Sequence, residues 1–167
     1  MGSCRRCSAY HLSVNDAKER REPVTDARAL LDDAKVILLV DWPSREVPET
    51  LALAGYAVHV KGGPAPTDFA AWEVRDGAVT RVQTAAPPDH ADIVYFHRPL
   101  DELPAIVELA ARLGATTIWR ASVESGGAGD SDLGDDAAET VRSRGIAYVD
   151  GVDIVAAVRT SRRGDLA

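Results

Sequence analysis

The residues best suited to chemistry stand in short polar stretches, each directly after an apolar run. Two of these stretches are cationic, with Lys61 after YAVHV and Arg98 after DIVYF. A guanidinium grips a phosphate through paired hydrogen bonds, and an ammonium binds one as a point charge. These positions predict an anion-binding site, unless Lys61 belongs to a simple turn and Arg98 pairs with Asp101 or Glu102.

The turn after the first apolar run, VILLV, reads Asp41-Trp42-Pro43-Ser44 and contains no glycine. In nucleotide-binding α/β proteins, glycines at this point let a phosphate approach the amides of the next helix. A carboxylate at Asp41 repels a diphosphate, and the indole of Trp42 fills the space. The helix amides near Ser44 and Arg45 still predict a subsite for one anion, unless Ser44 is only a helix cap.

A third polar stretch follows the run ATTIW and is interpreted as pocket-facing, with core packing as the alternative for its tryptophan. The complete set of candidate ligand-binding residues is Asp41, Trp42, Pro43, Ser44, Arg45, Lys61, Gly62, His97, Arg98, Pro99, Trp119, Arg120 and Ser122. No nucleophile stands at a diagnostic spacing from a base, so no catalytic residue is predicted. The acidic run near residue 132 lacks the glycine and glutamate spacing of a calcium loop, so no metal site is predicted.

Cys4 and Cys7 form a CxxC motif near the N-terminus. Such a motif is typical of a redox pair or of half a zinc site, but the sequence holds no second CxxC to complete the site. Residues 1–23 are polar and charged, with little periodicity. We therefore interpret them as a disordered tail in which the cysteines have no function.

Apolar runs alternate with helical patterns over the rest of the chain. The predicted strands are 36–40, 56–60, 92–96, 115–119 and 146–149, and the predicted helices are 24–35, 44–54, 101–113, 135–144 and 152–159. This alternation predicts the α/β class, as a three-layer, doubly wound, Rossmann-like parallel sheet with strand order 3-2-1-4-5. Asp76-Gly77 between alternating runs predicts an inserted β-hairpin at roughly 72–83. The glycine-rich residues 125–134 are interpreted as a flexible loop.

Length and charge limit the classes of partner. The 167 residues predict one domain over 24–158, followed by a short tail over 159–167. No apolar run is long enough to span a bilayer or to form a secretion signal, so a cytoplasmic protein is expected. The net charge is −7; each tail carries +2, which leaves −11 for residues 24–158. A body of this charge argues against nucleic acid and anionic membranes as partners.

Four stretches resemble the small, single-domain bacterial CoA-binding proteins, which are related to the CoA-binding Rossmann domain of succinyl-CoA synthetase. They are ALLDDAKVILLV, PSREVPETLALAGYAV, HRPLDELPAIVELAARLGATTIW and AETVRSRGIAYV, within about residues 26–158. The resemblance implies a Rossmann fold and CoA or acyl-CoA as the ligand. The chain departs from the family in its short first loop, in Lys61-Gly62-Gly63 after the second strand, and in Gly151-Val152-Asp153 after the fifth.

These observations together predict a non-enzymatic domain that binds CoA, an acyl-CoA or another adenine nucleotide where the strands end. The alternative is a module that has lost its ligand and serves as a protein-interaction or regulatory domain. An enzyme that uses His97 on small metabolites has the least support, because no partner residue for it is visible in the sequence.

Overall fold

The computed structural model describes residues 26–65, 67–121 and 130–161, with the backbone alone for residues 130–135. The predicted N-terminal tail with its CxxC motif, the candidate Ser122 and most of the predicted C-terminal tail lie outside these residues. The helices are α1 (Ala27–Asp33), α2 (Glu46–Leu53), α3 (Leu103–Arg112), α4 (Asp130–Arg142) and α5 (Ile154–Thr160). The strands are β1 (Val36–Val40), β2 (Ala57–Lys61), β3 (Phe69–Arg75), β4 (Ala78–Gln83), β5 (Ile93–Phe96), β6 (Thr117–Arg120) and β7 (Ala147–Val149).

The seven strands form one mostly parallel sheet in the order β4-β3-β2-β1-β5-β6-β7. The α/β class is therefore confirmed, but the predicted order 3-2-1-4-5 is wrong. The third predicted strand, β5, pairs directly with β1, so the five parallel strands run 2-1-3-4-5. The physical reason is the hairpin: β3 pairs antiparallel with the outer edge of β2, which leaves only the other edge of β1 for β5.

The inserted hairpin is confirmed, with β3 and β4 paired in register around Asp76-Gly77. Both turn residues have positive φ, 51° at Asp76 and 78° at Gly77. A two-residue type I′ turn requires this conformation at both positions, and glycine adopts it without steric strain. The local Asp-Gly signal was therefore sufficient to locate the turn.

The sheet is covered by helices on both faces because its central strands are apolar on both faces. In β1, Ile37 and Leu39 point into a core shared with α1, α2 and α5. Their neighbours Leu38 and Val40 point into a second core shared with α3 and α4. Successive side chains of a strand face opposite sides, so one apolar run fills both layers.

The starts of two helices can be compared with the sequence predictions. The side chain of Asp26 accepts a hydrogen bond of 3.0 Å from the Arg28 amide and begins α1, as a capping aspartate does. The helix α4 begins at Asp130, so the backbone over 130–134 is helical where a flexible loop was predicted. None of the described helices is long and apolar enough to cross a membrane.

Candidate functional site

The loops after β1, β2 and β5 meet at one edge of the sheet because these neighbouring strands are parallel. In doubly wound sheets, ligands bind outside these carboxyl ends, where the strand order reverses. Here the order reverses between β1 and β5. A cleft of about 550 Å³ opens at this edge, and we call it the strand-end cleft. It is lined by Asp41, Trp42, Pro43, Lys61, Gly62, Gly63, Pro64, Arg98 and Glu102.

Arg98 is the cation on the β5 side of the strand-end cleft, and its guanidinium is already engaged. Two of its nitrogens, Nε and Nη2, each lie 2.8 Å from an oxygen of Glu102, four residues further on. Its Nε also lies 3.7 Å from Asp41. The hydrogen bonds and the charge of Glu102 raise the pKa of Arg98, so this side chain is charged at every pH of interest. An incoming phosphate must therefore compete with two carboxylates.

Lys61 is the cation on the β2 side, and a tight loop holds it in place. Its Nζ donates to the carbonyl oxygen of Gly63 at 3.0 Å. A Cβ added at Gly63 would collide with the carboxylate of Asp68, so the close approach of these two residues requires glycine. Asp68 in turn accepts a 2.9 Å hydrogen bond from the Ala65 amide and closes the loop. Lys61 is thus presented at the cleft by backbone geometry.

Trp42 fills the crevice at which the strand order reverses. Its ring centroid lies 4.7 Å from that of Tyr95 in β5 and 5.4 Å from that of His97. Tyr95 in turn meets Trp119 edge-on at 6.5 Å. Burial, followed by the charge of Asp153, raises the pKa of Tyr95, so the phenol stays neutral inside this stack. The space that a glycine loop leaves for a diphosphate is therefore occupied by aromatic rings.

A second cleft, of about 350 Å³, lies against α2 and the hairpin, and we call it the hairpin cleft. It shares Trp42, Pro43 and Gly62 with the strand-end cleft. Its other lining residues are Ser44, Arg45, Pro48, Val60, Trp72 and Arg81. The Trp42-Pro43 loop thus separates two neighbouring clefts at one edge of the sheet.

The structure brings together most, but not all, of the predicted site residues. Eight of them line one or both clefts: Asp41, Trp42, Pro43, Ser44, Arg45, Lys61, Gly62 and Arg98. His97 and Pro99 flank Arg98 in the sequence, but neither lines the strand-end cleft. Trp119 is fully buried and donates to the Val152 carbonyl at 2.8 Å, which makes it a core residue.

Arg120 also lies away from both clefts. It is 5% exposed, and its Nη1 lies 3.3 Å from Asp150 at the end of the neighbouring strand β7. The alternation of side chains along β6 places Trp119 and Arg120 on opposite faces of the sheet. The structure therefore does not bring these two predicted residues together, and neither lines one of the two clefts.

Sequence reasoning missed Trp72 and Arg81 as cleft residues, and it named Glu102 only as an alternative partner of Arg98, which is the pairing that the structure shows. A signal existed for each. Glu102 stands four residues beyond Arg98, at the start of the predicted helix 101–113, close enough in the chain for an ion pair. Counting outward from the Asp76-Gly77 turn places Trp72 directly opposite Arg81, which is the observed register.

Both clefts present cationic side chains. Lys61 and Arg98 line the strand-end cleft beside two carboxylates, and Arg45 and Arg81 line the hairpin cleft. No group of three or more acidic, histidine or cysteine side chains in the described part of the chain is placed to hold a metal. His59, in β2, has a pKa lowered by burial, so it stays neutral and adds no positive charge.

Comparison with known proteins bears on the fold. No family model and no curated protein matches the chain. The chain is similar to the crystal structure of Prb, a PH1109 protein redesigned for binding, with a TM-score of 0.55 and 19% identity over 80% of this chain and 88% of that one. A protein of unknown function from Methanothermobacter thermautotrophicus aligns over 75% of this chain and 84% of its own, with a TM-score of 0.43 and 13% identity. At these identities the likeness to the Prb structure supports the α/β fold and nothing further.

Proposed function

We propose that this domain binds CoA, an acyl-CoA or another adenine nucleotide in the strand-end cleft, without catalysing a reaction. The observation that carries the proposal is the cleft itself. It is open, has a volume of about 550 Å³, and lies at the carboxyl ends of β1, β2 and β5 between Lys61 and Arg98. Small-molecule sites span roughly 300–1,000 Å³ and favour this position in doubly wound sheets. The sequence resemblance to CoA-binding domains points to the same ligand class.

Weak binding is expected from the charges of the strand-end cleft. Lys61 and Arg98 are balanced by Asp41 and Glu102, so the cleft has no net positive charge. Trp42 also occupies the place of a glycine loop, which removes the amide contacts of a diphosphate. We therefore expect a Kd for CoA in the micromolar range or weaker, near −8 kcal/mol or less favourable.

The test combines recovery of a native ligand with direct titration. Small molecules that copurify with the protein are identified by mass spectrometry, and CoA, acetyl-CoA, NAD and ATP are then titrated by calorimetry at low and high salt. Binding of CoA is expected to weaken with salt, and Arg98→Ala is expected to weaken it at least about fivefold. Arg112→Ala removes an exposed arginine at the end of α3 and serves as the matched control.

A second candidate function is a ligand-free interaction or regulatory module. The observation in its favour is the packing of Trp42 on Tyr95, which closes the crevice between β1 and β5. Absence of binding by all four compounds at millimolar concentration would favour this second function. Nanomolar binding of CoA that is unchanged in Arg98→Ala would contradict the proposed site.

A further inference from the structure

The hairpin cleft differs from the strand-end cleft in the sign of its charge. Its charged lining residues are Arg45 and Arg81, and none of its lining residues among those described is a carboxylate. The strand-end cleft instead sets two carboxylates against its two cations. A concave positive site on a chain with a net charge of −7 indicates an anionic ligand.

Arg81 is the cation that the hairpin contributes. It lies directly opposite Trp72 in the register of β3 and β4, so the two side chains share one face of the sheet. Its Nη2 lies within reach of the β2 loop, 4.0 Å from where a Cβ on Gly62 would stand. No carboxylate in the described residues lies within salt-bridge distance of Arg81, so its charge is available to a ligand.

Arg45, at the start of α2, is the second cation of the cleft, and it lies over Trp72. The guanidinium carbon of Arg45 lies 5.4 Å from the centre of the Trp72 ring, a cation–π contact. Arg45 also pairs with Glu49 at 2.7 Å, but its side chain is 72% exposed, so the pair is weak and easily rearranged. Arg81 is therefore the primary anchor for an anion, and Arg45 is the secondary one.

The indole of Trp72 supplies an independent observation at the same place. The residue is only 7% exposed, and its buried Nε1 donates to no hydrogen-bond acceptor. A buried donor without an acceptor is uncommon in a folded protein and costs stability. Trp72 lines the hairpin cleft, so an anion bound there is the candidate acceptor for this donor.

We propose that the hairpin cleft is an anion site for a phosphate or diphosphate group, held by Arg81 and Arg45 beside Trp72. This site is separate from the strand-end cleft, and its occupation does not depend on CoA binding. A volume of about 350 Å³ is sufficient for a diphosphate group. In this proposal the hairpin, an insertion that the CoA-binding proteins lack, contributes Trp72 and Arg81 to a binding site.

The probe is inorganic pyrophosphate, titrated into the full chain in a low-salt buffer. Binding is followed by calorimetry and by the indole N–H signals of the three tryptophans in ¹H–¹⁵N spectra. We expect saturable binding and a shift of the Trp72 indole signal. Arg81→Gln is expected to weaken binding about tenfold, since one charge-assisted contact is lost. Arg75→Gln, on the same hairpin but paired with Glu73, is the matched control and should change affinity less than twofold.

Three outcomes would overturn the proposal. The first is no binding of pyrophosphate at millimolar concentration in low salt. The second is an equal effect of Arg81→Gln and Arg75→Gln, which would mean a diffuse charge effect. The third is loss of binding in Arg98→Gln with retention in Arg81→Gln, which would place the anion in the strand-end cleft. Failure of CoA to bind, by contrast, would leave the pyrophosphate result intact and would count only against the proposed function.

Discussion

Arg98 lines the strand-end cleft, but its guanidinium is already paired with carboxylates. Its guanidinium faces the strand-end cleft, but Glu102 accepts both of its short contacts and Asp41 stands 3.7 Å away. The three side chains are between 28% and 40% exposed, so water screens this ion-pair network and an anion can reach it. Arg98 is therefore placed where it could bind a phosphate, but the negative charges of Asp41 and Glu102 compensate its positive charge.

At this scale we predict that Glu102→Gln strengthens CoA binding about threefold, because Arg98 is released and a repelling charge is removed. Titration calorimetry measures the change. Glu108→Gln removes a carboxylate of α3, the helix that begins directly after Glu102; Glu108 pairs with Arg144 and does not line the cleft, so this variant should leave affinity unchanged. If both variants altered affinity equally, net charge and not the release of Arg98 would be the cause.

The first loop shows what one element can exclude. A chain that leaves β1 through Asp41 and Trp42 places an indole on Tyr95, where ligand phosphates lie in proteins with a glycine loop. Strand and helix packing do not depend on this choice, because Leu38 and Leu51 are buried in the cores. A change in this loop is therefore expected to alter ligand affinity without altering the fold.

We accordingly predict that a longer, glycine-containing turn in place of Asp41-Trp42 binds CoA about tenfold more tightly than the native chain. The melting temperature should fall, since the contacts of Trp42 with Tyr95 and His97 are lost. Calorimetry and thermal unfolding report the two effects separately. Unchanged affinity in a folded variant would show that the loop does not limit binding.

The hairpin is an element whose turn can be tested without disturbing packing. Gly77 has φ of 78°, and a Cβ added there would meet nothing within 4 Å. We predict that Gly77→Ala lowers the free energy of unfolding by about 1 kcal/mol, from left-handed strain partly offset by a less flexible unfolded chain. Asp76→Asn keeps a favoured turn pair and should change it by less than about 0.5 kcal/mol in urea denaturation.

At the scale of the whole molecule, charge is unevenly distributed, with −11 over residues 24–158 and +2 in each tail. An acidic body attracts anions only through local cations, so any anion binding depends strongly on ionic strength. Both clefts present such cations at a single edge of the sheet. Among the described residues, none at the amino ends of the parallel strands lines either cleft.

For the whole molecule we predict that deleting residues 1–23 shifts the melting temperature by less than about 3 °C, roughly 1 kcal/mol for a chain of this size. The reason is that these residues have few apolar side chains to offset the entropy of ordering them. A larger shift would mean that the segment packs on the domain. Zinc that copurifies with the native chain and is lost in Cys4→Ser/Cys7→Ser would overturn the interpretation of silent cysteines.

The sequence by itself determined the features that depend on neighbouring residues. The apolar run at β1 specified a strand buried on both faces, and Asp76-Gly77 specified the hairpin turn. Each of these follows from contacts within a few residues, which composition and spacing express directly. The cations of the strand-end cleft stand out in the sequence for the same reason, since Lys61 ends β2 and Arg98 lies two residues beyond β5.

Only the tertiary structure decided which strand edges meet and which distant side chains become neighbours. The hairpin strand β3 pairs with the outer edge of β2, so β5 pairs with the free edge of β1. No local sequence pattern encodes which of these two edges β5 joins. That pairing set Trp42 on Tyr95, and the packing of α2 on the hairpin set Arg45 over Trp72. These contacts join residues far apart in the chain, and they exist because parallel strands and packed layers bring separate loops to one edge.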